Sequence, residues 1–162
     1  MQNTTKALLL WSSLLFLAGN AISDETSSAQ PIVKPFALEK SFFEGKGLTK
    51  GDHAVFEGEG LSRITAPVPF SSHEFHIGKI TVSIYESEPD KARIDGMPFD
   101  EFVWILEGRL ILTTDDGKSY EFKAGDSLMV PQRFKGYWDM PEKYRELIIV
   151  NTDYAEASDD DS

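Results

Sequence analysis

Cysteine is absent from the 162-residue chain, and histidine occurs only three times, at His53, His73 and His76. The first absence excludes a disulfide framework, a lipidated cysteine and a thiol nucleophile, so stability has to come from a packed core. The second leaves few imidazoles for a transition metal. Bases are scarce beside acids, 16 against 27, and the net charge is −11. A phosphate backbone would be repelled, which argues against a nucleic-acid partner. Also missing are a glycine-rich phosphate loop, a nucleophile elbow and a basic stripe with interleaved aromatics.

The ends of the chain are unlike its middle. In MQNTTKALLLWSSLLFLAGNAIS the single cation Lys6 precedes an apolar run from Ala7 to Ala18, and small residues follow at Gly19, Ala21 and Ser23. That is the layout of a cleavable export signal, here residues 1–23. The run is shorter than the ~20 residues a spanning helix needs, so we expect a periplasmic or secreted protein without stable membrane insertion. Residues 24–35 are polar and proline-punctuated, which suits a linker. Residues 36–150 suffice for one domain, and residues 151–162 form an acidic tail expected to be solvated and disordered. We find no internal repeat.

From Phe36 onward short β-prone runs alternate with turn residues. Strands are expected at His53–Glu57, Leu61–Thr65, Lys79–Glu86, Glu101–Leu106, Arg109–Thr114, Lys118–Phe122, Ser127–Val130, Gly136–Asp139 and Arg145–Val150, with one helical turn near Leu38–Phe43. The Asp116–Gly117 pair between RLILTT and KSYEF signals a hairpin. Such a chain is all-β, with two antiparallel sheets that pack together or close into a barrel. The run EFVWILEGRLILTT is apolar at nearly every position, which implies burial of both strand faces. The outer face, carrying Phe102, Trp104 and Leu106, is expected to meet a second copy in a homodimer; the alternative cover is the segment KSFFEGKGL.

Two spacings then stand out. Glu101 is followed by six residues and Gly108, and Gly125 by five residues and Pro131. They fit the end of G(X)5HXH(X)3,4E(X)6G and the start of G(X)5PXG(X)2H(X)3N, so the chain resembles the cupins. The stretches DEFVWILEGRLILTTDDG, EFKAGDSLMVP and FKGYWD resemble the branch related to ureidoglycine aminohydrolase and the ethanolamine-utilisation cupins. The resemblance covers about residues 79–150 and implies a single jelly-roll barrel. It says little of function, because this fold hosts many activities.

The departures bear on the metal that cupins commonly hold. The histidine positions of the first motif fall on Asp95 and Met97, or on Ile94 and Gly96 with the longer spacing, and that of the second on Gly136. None is imidazole, and a transition metal needs three or four converging donors. We therefore expect no tightly held metal cofactor. The alternative the resemblance implies is manganese or another divalent ion on Asp95, Glu101 and Gln132. His73 and His76 lie in SSHEFHIG, read as an exposed loop; on a strand their spacing of three would send them to opposite faces.

Strand parity fills in the pocket. If Gly136 points inward, so do Trp138 and Met140, and Glu101, Val103 and Ile105 share one inner face. A carboxylate among apolar walls must find a donor or rise in pKa. Lys79, Tyr85 and Arg133 are the candidate donors. The expected ligand pocket is thus Asp95, Glu101, Val103, Trp138, Tyr85 and Arg133, taking a small polar molecule. Two alternatives are an amidohydrolase- or lyase-type enzyme with a divalent ion at Asp95 and Glu101, and a structural protein with a filled barrel.

Overall fold

The computed structural model describes residues 33–51 and 61–151. The export signal, most of the linker, the strand expected at His53–Glu57 and the tail from residue 152 lie outside the described residues. The chain divides into two units, Met1–Pro35 and Phe36–Ser162, and the second carries every element that follows.

A short helix, α1 (Lys40–Phe43), precedes the strands β1 (Thr49–Gly51), β2 (Leu61–Arg63), β3 (Phe70–Ile77), β4 (Ile80–Ser87) and β5 (Asp90–Asp95). Then come β6 (Glu101–Glu107), β7 (Arg109–Thr114), β8 (Ser119–Lys123), β9 (Ser127–Val130), β10 (Lys135–Met140) and β11 (Tyr144–Asn151). One antiparallel sheet has the order β1-β3-β4-β11-β6-β9, the other β2-β5-β10-β7-β8. This is the expected jelly roll. The closed barrel is not formed, because β8 and β9 end their respective sheets without pairing with each other. The turn between them docks instead on β6, where Gly125 N–H donates to the Ile105 carbonyl at 2.8 Å and Ile105 N–H to the Asp126 carbonyl at 2.9 Å.

The five-stranded sheet has one wet face. Ala92, Ile94, Leu110, Leu112, Trp138 and Met140 are buried between the sheets, while the alternate residues carry ion pairs such as Lys91–Asp139 (2.6 Å) and Lys135–Asp95 (3.0 Å). The β7–β8 hairpin forms at the Asp-Gly signal, with Gly117 at φ +82°.

In the six-stranded sheet the inner face of β6 and β11 is buried and the outer face only partly covered, by a local segment. Phe42 of α1 stacks on His73 at 3.5 Å between ring centroids, and Phe43 lies edge-on to Trp104 at 6.4 Å. Arg145, buried beneath them, pairs with Glu86 at 2.6 Å and with Glu107, and donates to the Phe43 carbonyl at 3.3 Å. The KSFFEGKGL segment therefore covers the Trp104 end of the outer face. The next cross-strand row, Met129, Phe102, Ile149 and Val82, stays partly open, with Met129 58% exposed. Leu106 does not continue the stripe: a register shift near Arg145 sets Glu107 opposite it instead.

Three strands were not anticipated. β1 and β5 are rich in charged or polar residues, and β3 occupies the segment read as a loop. A bulge between Glu74 and His76 lets His73 oppose Ile84 and His76 oppose Val82, two residues of one parity. The two histidines therefore do not diverge. Both rings meet phenylalanines of the N-terminal segment, His76 reaching Phe36 at 6.2 Å between centroids.

Candidate functional site

Most of the space between the sheets is apolar, yet two carboxyl groups enter it from the six-stranded sheet. β6 aims Glu101, Val103 and Ile105 inward, and β11 does the same with Tyr144 and Glu146, since Glu146 opposes Ile105. Glu101 is 7% exposed and Glu146 3%. Burial pushes the Glu101 carboxyl up to about 7. Burial and then the charge of Glu101 raise Glu146 well above the carboxylate range, against the opposing effect of a 2.7 Å hydrogen bond from the Tyr144 hydroxyl. Burial and the nearby Glu146 raise Tyr144 as well. Desolvation disfavours every charged form here and shifts the cluster toward its protonated forms. Tyr85 opposes Glu146 across the β4–β11 pair, with its hydroxyl out of reach of solvent. Trp138, 3% exposed, faces this cluster's sheet from β10, and its Nε1–H has no acceptor among the described residues.

Of the expected pocket residues, Glu101, Val103, Trp138 and Tyr85 point into the space between the sheets. Asp95 and Arg133 do not. The Asp95 side chain is 62% exposed and held outside by Lys135 and Arg93, because the alternation of β5 that buries Ile94 turns Asp95 to solvent. Arg133 is exposed on the turn after Pro131, at φ 70°, a left-handed conformation at the place where the second cupin motif has glycine. Lys79 is exposed too, so neither cation reaches Glu101. Glu146 and Tyr144 went unrecognised; alternation along YRELIIVN carries the signal, since Tyr144, Glu146, Ile148 and Val150 share one face.

A transition metal does not fit this donor set. Met97 packs in the core, Asp95 faces solvent, and position 136 has no room for a side chain. A Cβ at Gly136 would lie 2.1 Å from the Thr113 carbonyl oxygen and 3.0 Å from the Phe134 ring. The space beside the old ligand position is thus taken by the neighbouring strand and by Phe134. His73 and His76 are on the other face of the sheet, and among the described residues no three His, Asp or Glu side chains come together as a metal site.

An opening leads to the interior between the unpaired edges of β8 and β9. It is a cavity of about 280 Å³ whose walls include Leu112, Phe122, Leu128, Val130 and Phe134. Two of its wall residues pair across strands with polar residues of the interior, Val130 with Glu101 and Leu112 with Trp138, which do not themselves line it. A second hollow, of about 410 Å³, is rimmed by Lys50, Phe70, Glu86 and Lys143. Its Lys143 is already neutralised by Glu86 at 3.3 Å, and no unpaired buried group faces it.

The sequence model of the family described as EutQ-like cupin domain matches residues 77–146, the stretch that builds β4 to the first three residues of β11 and so includes Glu101, Trp138, Tyr144, Glu146 and the cavity walls. That match is to a cupin domain and spans 70 of the 162 residues. Among solved structures, a protein of unknown function from Pseudomonas syringae pv. tomato superposes with TM-score 0.53 at 18% identity, over 64% of this chain and 44% of that one. The EutQ protein of Clostridium difficile aligns at 12% identity and TM-score 0.47, over 64% of this chain and 94% of its own. At these identities the likeness concerns the fold of the cupin domain. No curated protein matches the chain.

Proposed function

We propose that this is an exported cupin domain that binds a small molecule in the mouth between β8 and β9, without a tightly held transition metal. The observation that carries this reading is the apolar cavity of about 280 Å³ walled by Leu112, Phe122, Leu128, Val130 and Phe134. Concave apolar sites with a few convergent polar groups are the usual form of a small-ligand pocket. The resemblance to ureidoglycine aminohydrolase rests on the turn and strand pattern and does not extend to a set of metal donors. The amidohydrolase or lyase alternative needs Asp95 beside Glu101, and Asp95 is turned to solvent.

The same reading includes a homodimer through the partly open row Met129, Phe102, Ile149 and Val82. In a chain of net charge −11 this row carries no charge, and the ions beside it, Arg145 and Lys143 with Glu86 and Glu107, neutralise one another. Two copies can therefore meet there without like-charge repulsion.

An amide-shift screen of a mixed fragment library against the exported protein tests the binding site. Shifts clustered on Leu112, Phe122, Leu128 and Phe134, and lost in Leu128→Trp, are expected. Shifts confined to other surfaces, or none at all, overturn it. Elemental analysis showing about one transition metal per chain would overturn the metal-free part.

A further inference from the structure

The mouth between β8 and β9 is graded from aliphatic inner walls to a hydroxyl-bearing rim. Val130 and Leu112 are its most buried walls, 1% and 6% exposed, Phe122 and Phe134 form half-buried aromatic sides, and Tyr120 and Met129 stand 49% and 58% exposed. None of the nine wall residues is charged. Two of them carry a hydroxyl: that of Thr114 donates to the Asp116 carboxylate, and that of Tyr120 belongs to the exposed rim. A water held against Leu112 and Val130 would find no partner in either side chain, whereas a buried water needs two to four, so the inner end favours apolar atoms.

Size and wall chemistry narrow the guest. Apolar cavities of about 150 Å³ take up benzene. This one, at about 280 Å³, has room for about two fused rings. Phe122, Phe134 and Tyr120 offer ring faces and edges, and Met129 a thioether, all of which pack well on an aromatic guest. A polar or ionic group that entered first would give up its hydration against Leu112 and Val130, whereas the same group at the rim keeps its water. We propose that the mouth takes up a flat aromatic molecule of about two rings, whose inner end carries no polar atom and whose polar group, where it has one, stays at the Tyr120 rim. This rests on the mouth being a small-molecule site and adds the chemistry of its ligand.

Three probes of similar size separate the possibilities: 2-naphthol, with a hydroxyl at one end, 2,6-naphthalenediol, with one at each end, and methyl glucoside, which is polar all round. Each is titrated into the full-chain protein carrying isotope-labelled methyl groups. 2-Naphthol should shift the methyl resonances of Leu112, Leu128 and Val130 and bind about tenfold more tightly than the diol, which has to leave one hydroxyl without a partner. Intermolecular proton contacts should place its unsubstituted ring against Val130 and its hydroxylated ring beside Tyr120. Methyl glucoside should move none of these methyls. The diol binding as tightly as 2-naphthol, 2-naphthol lying the other way round, or a response to methyl glucoside alone overturns the ligand class while the mouth stands as a site. If no probe moves those methyls, the small-molecule mouth itself is refuted, and the ligand class with it.

Discussion

Replacing Glu101 with Gln should make the domain more stable at alkaline pH and leave it little changed in acid. The folded protein holds the Glu101 proton up to about 7, whereas an unburied glutamate releases it near 4.5. Below about 4.5 both the folded and unfolded chains are protonated, and the favourable contribution of the neutral buried acid is complete. As the pH rises from about 4.5 through about 7, the unfolded chain ionises first and that contribution is lost. At about 1.4 kcal/mol for each pH unit, the gap amounts to about 3 kcal/mol. A glutamine side chain in this position has nearly the same shape and no charge to desolvate, so the variant lacks this loss. Urea unfolding followed by tryptophan fluorescence at pH about 5, 6, 7 and 8 measures the difference between the two proteins, in which surface groups common to both cancel. A fixed offset at every pH reports only the exchange of hydroxyl for amide. A gain that grows by about 2–3 kcal/mol between pH about 5 and 8 is expected. Parallel curves, or a variant that loses ground as the pH rises, would mean that Glu101 ionises with a cationic partner, and the reasoning from burial would be refuted.

Restoring the motif histidine with Gly136→His should not create a zinc site; it should cost about 3 kcal/mol or more, since the Cβ collides with backbone of β7, and denaturant unfolding with a zinc titration checks both halves. Trp104→Glu should give a monomer by sedimentation, with a melting temperature lower by roughly 5 °C from loss of the Phe43 contact; an unmutated protein already monomeric at micromolar concentration refutes the dimer. Mass spectrometry of exported material should find a chain starting near Ile22 or Asp24, and an intact Met1–Ala21 would contradict the export signal.

The parts of the fold that could be read from sequence are those where one physical rule acts alone. β7 and β9 have the bounds that β-propensity and flanking turns give them, and the Asp-Gly hairpin forms where two residues tolerate the required backbone. Period-two alternation also places Glu101, Val103 and Trp138 correctly, because β6 and β10 run without a bulge between these residues and their neighbours on the inner face. β3 escaped because its stability lies outside itself. Its histidines look like loop residues until Phe36 and Phe42, about thirty to forty positions earlier, are seen to meet them. A bulge adds one residue and reverses parity beyond it, so a count by twos fails there while remaining sound on either side.

The motif positions that hold metal ligands in the cupin pattern show the same division. That imidazole is missing from the motif positions is plain from the sequence, but not what replaces it. Position 136 looks like a gap that Trp138 would close from the side. The structure fills it differently: the Thr113 carbonyl and the Phe134 ring stand where any Cβ would go. Phe134 belongs to the turn PQRF, which the loop after β5 grips through Met97 N–H to Phe134 carbonyl at 2.9 Å and Arg133 N–H to Met97 carbonyl at 2.6 Å. Both loops that carry metal ligands in the cupin pattern are thus bonded to each other and packed with Met97 and Phe134. A single histidine cannot reverse that arrangement, because the loops would have to separate before a donor could enter. The polar groups of the interior are Trp138 and the cluster Glu101, Glu146 and Tyr144, whose uncharged forms burial favours.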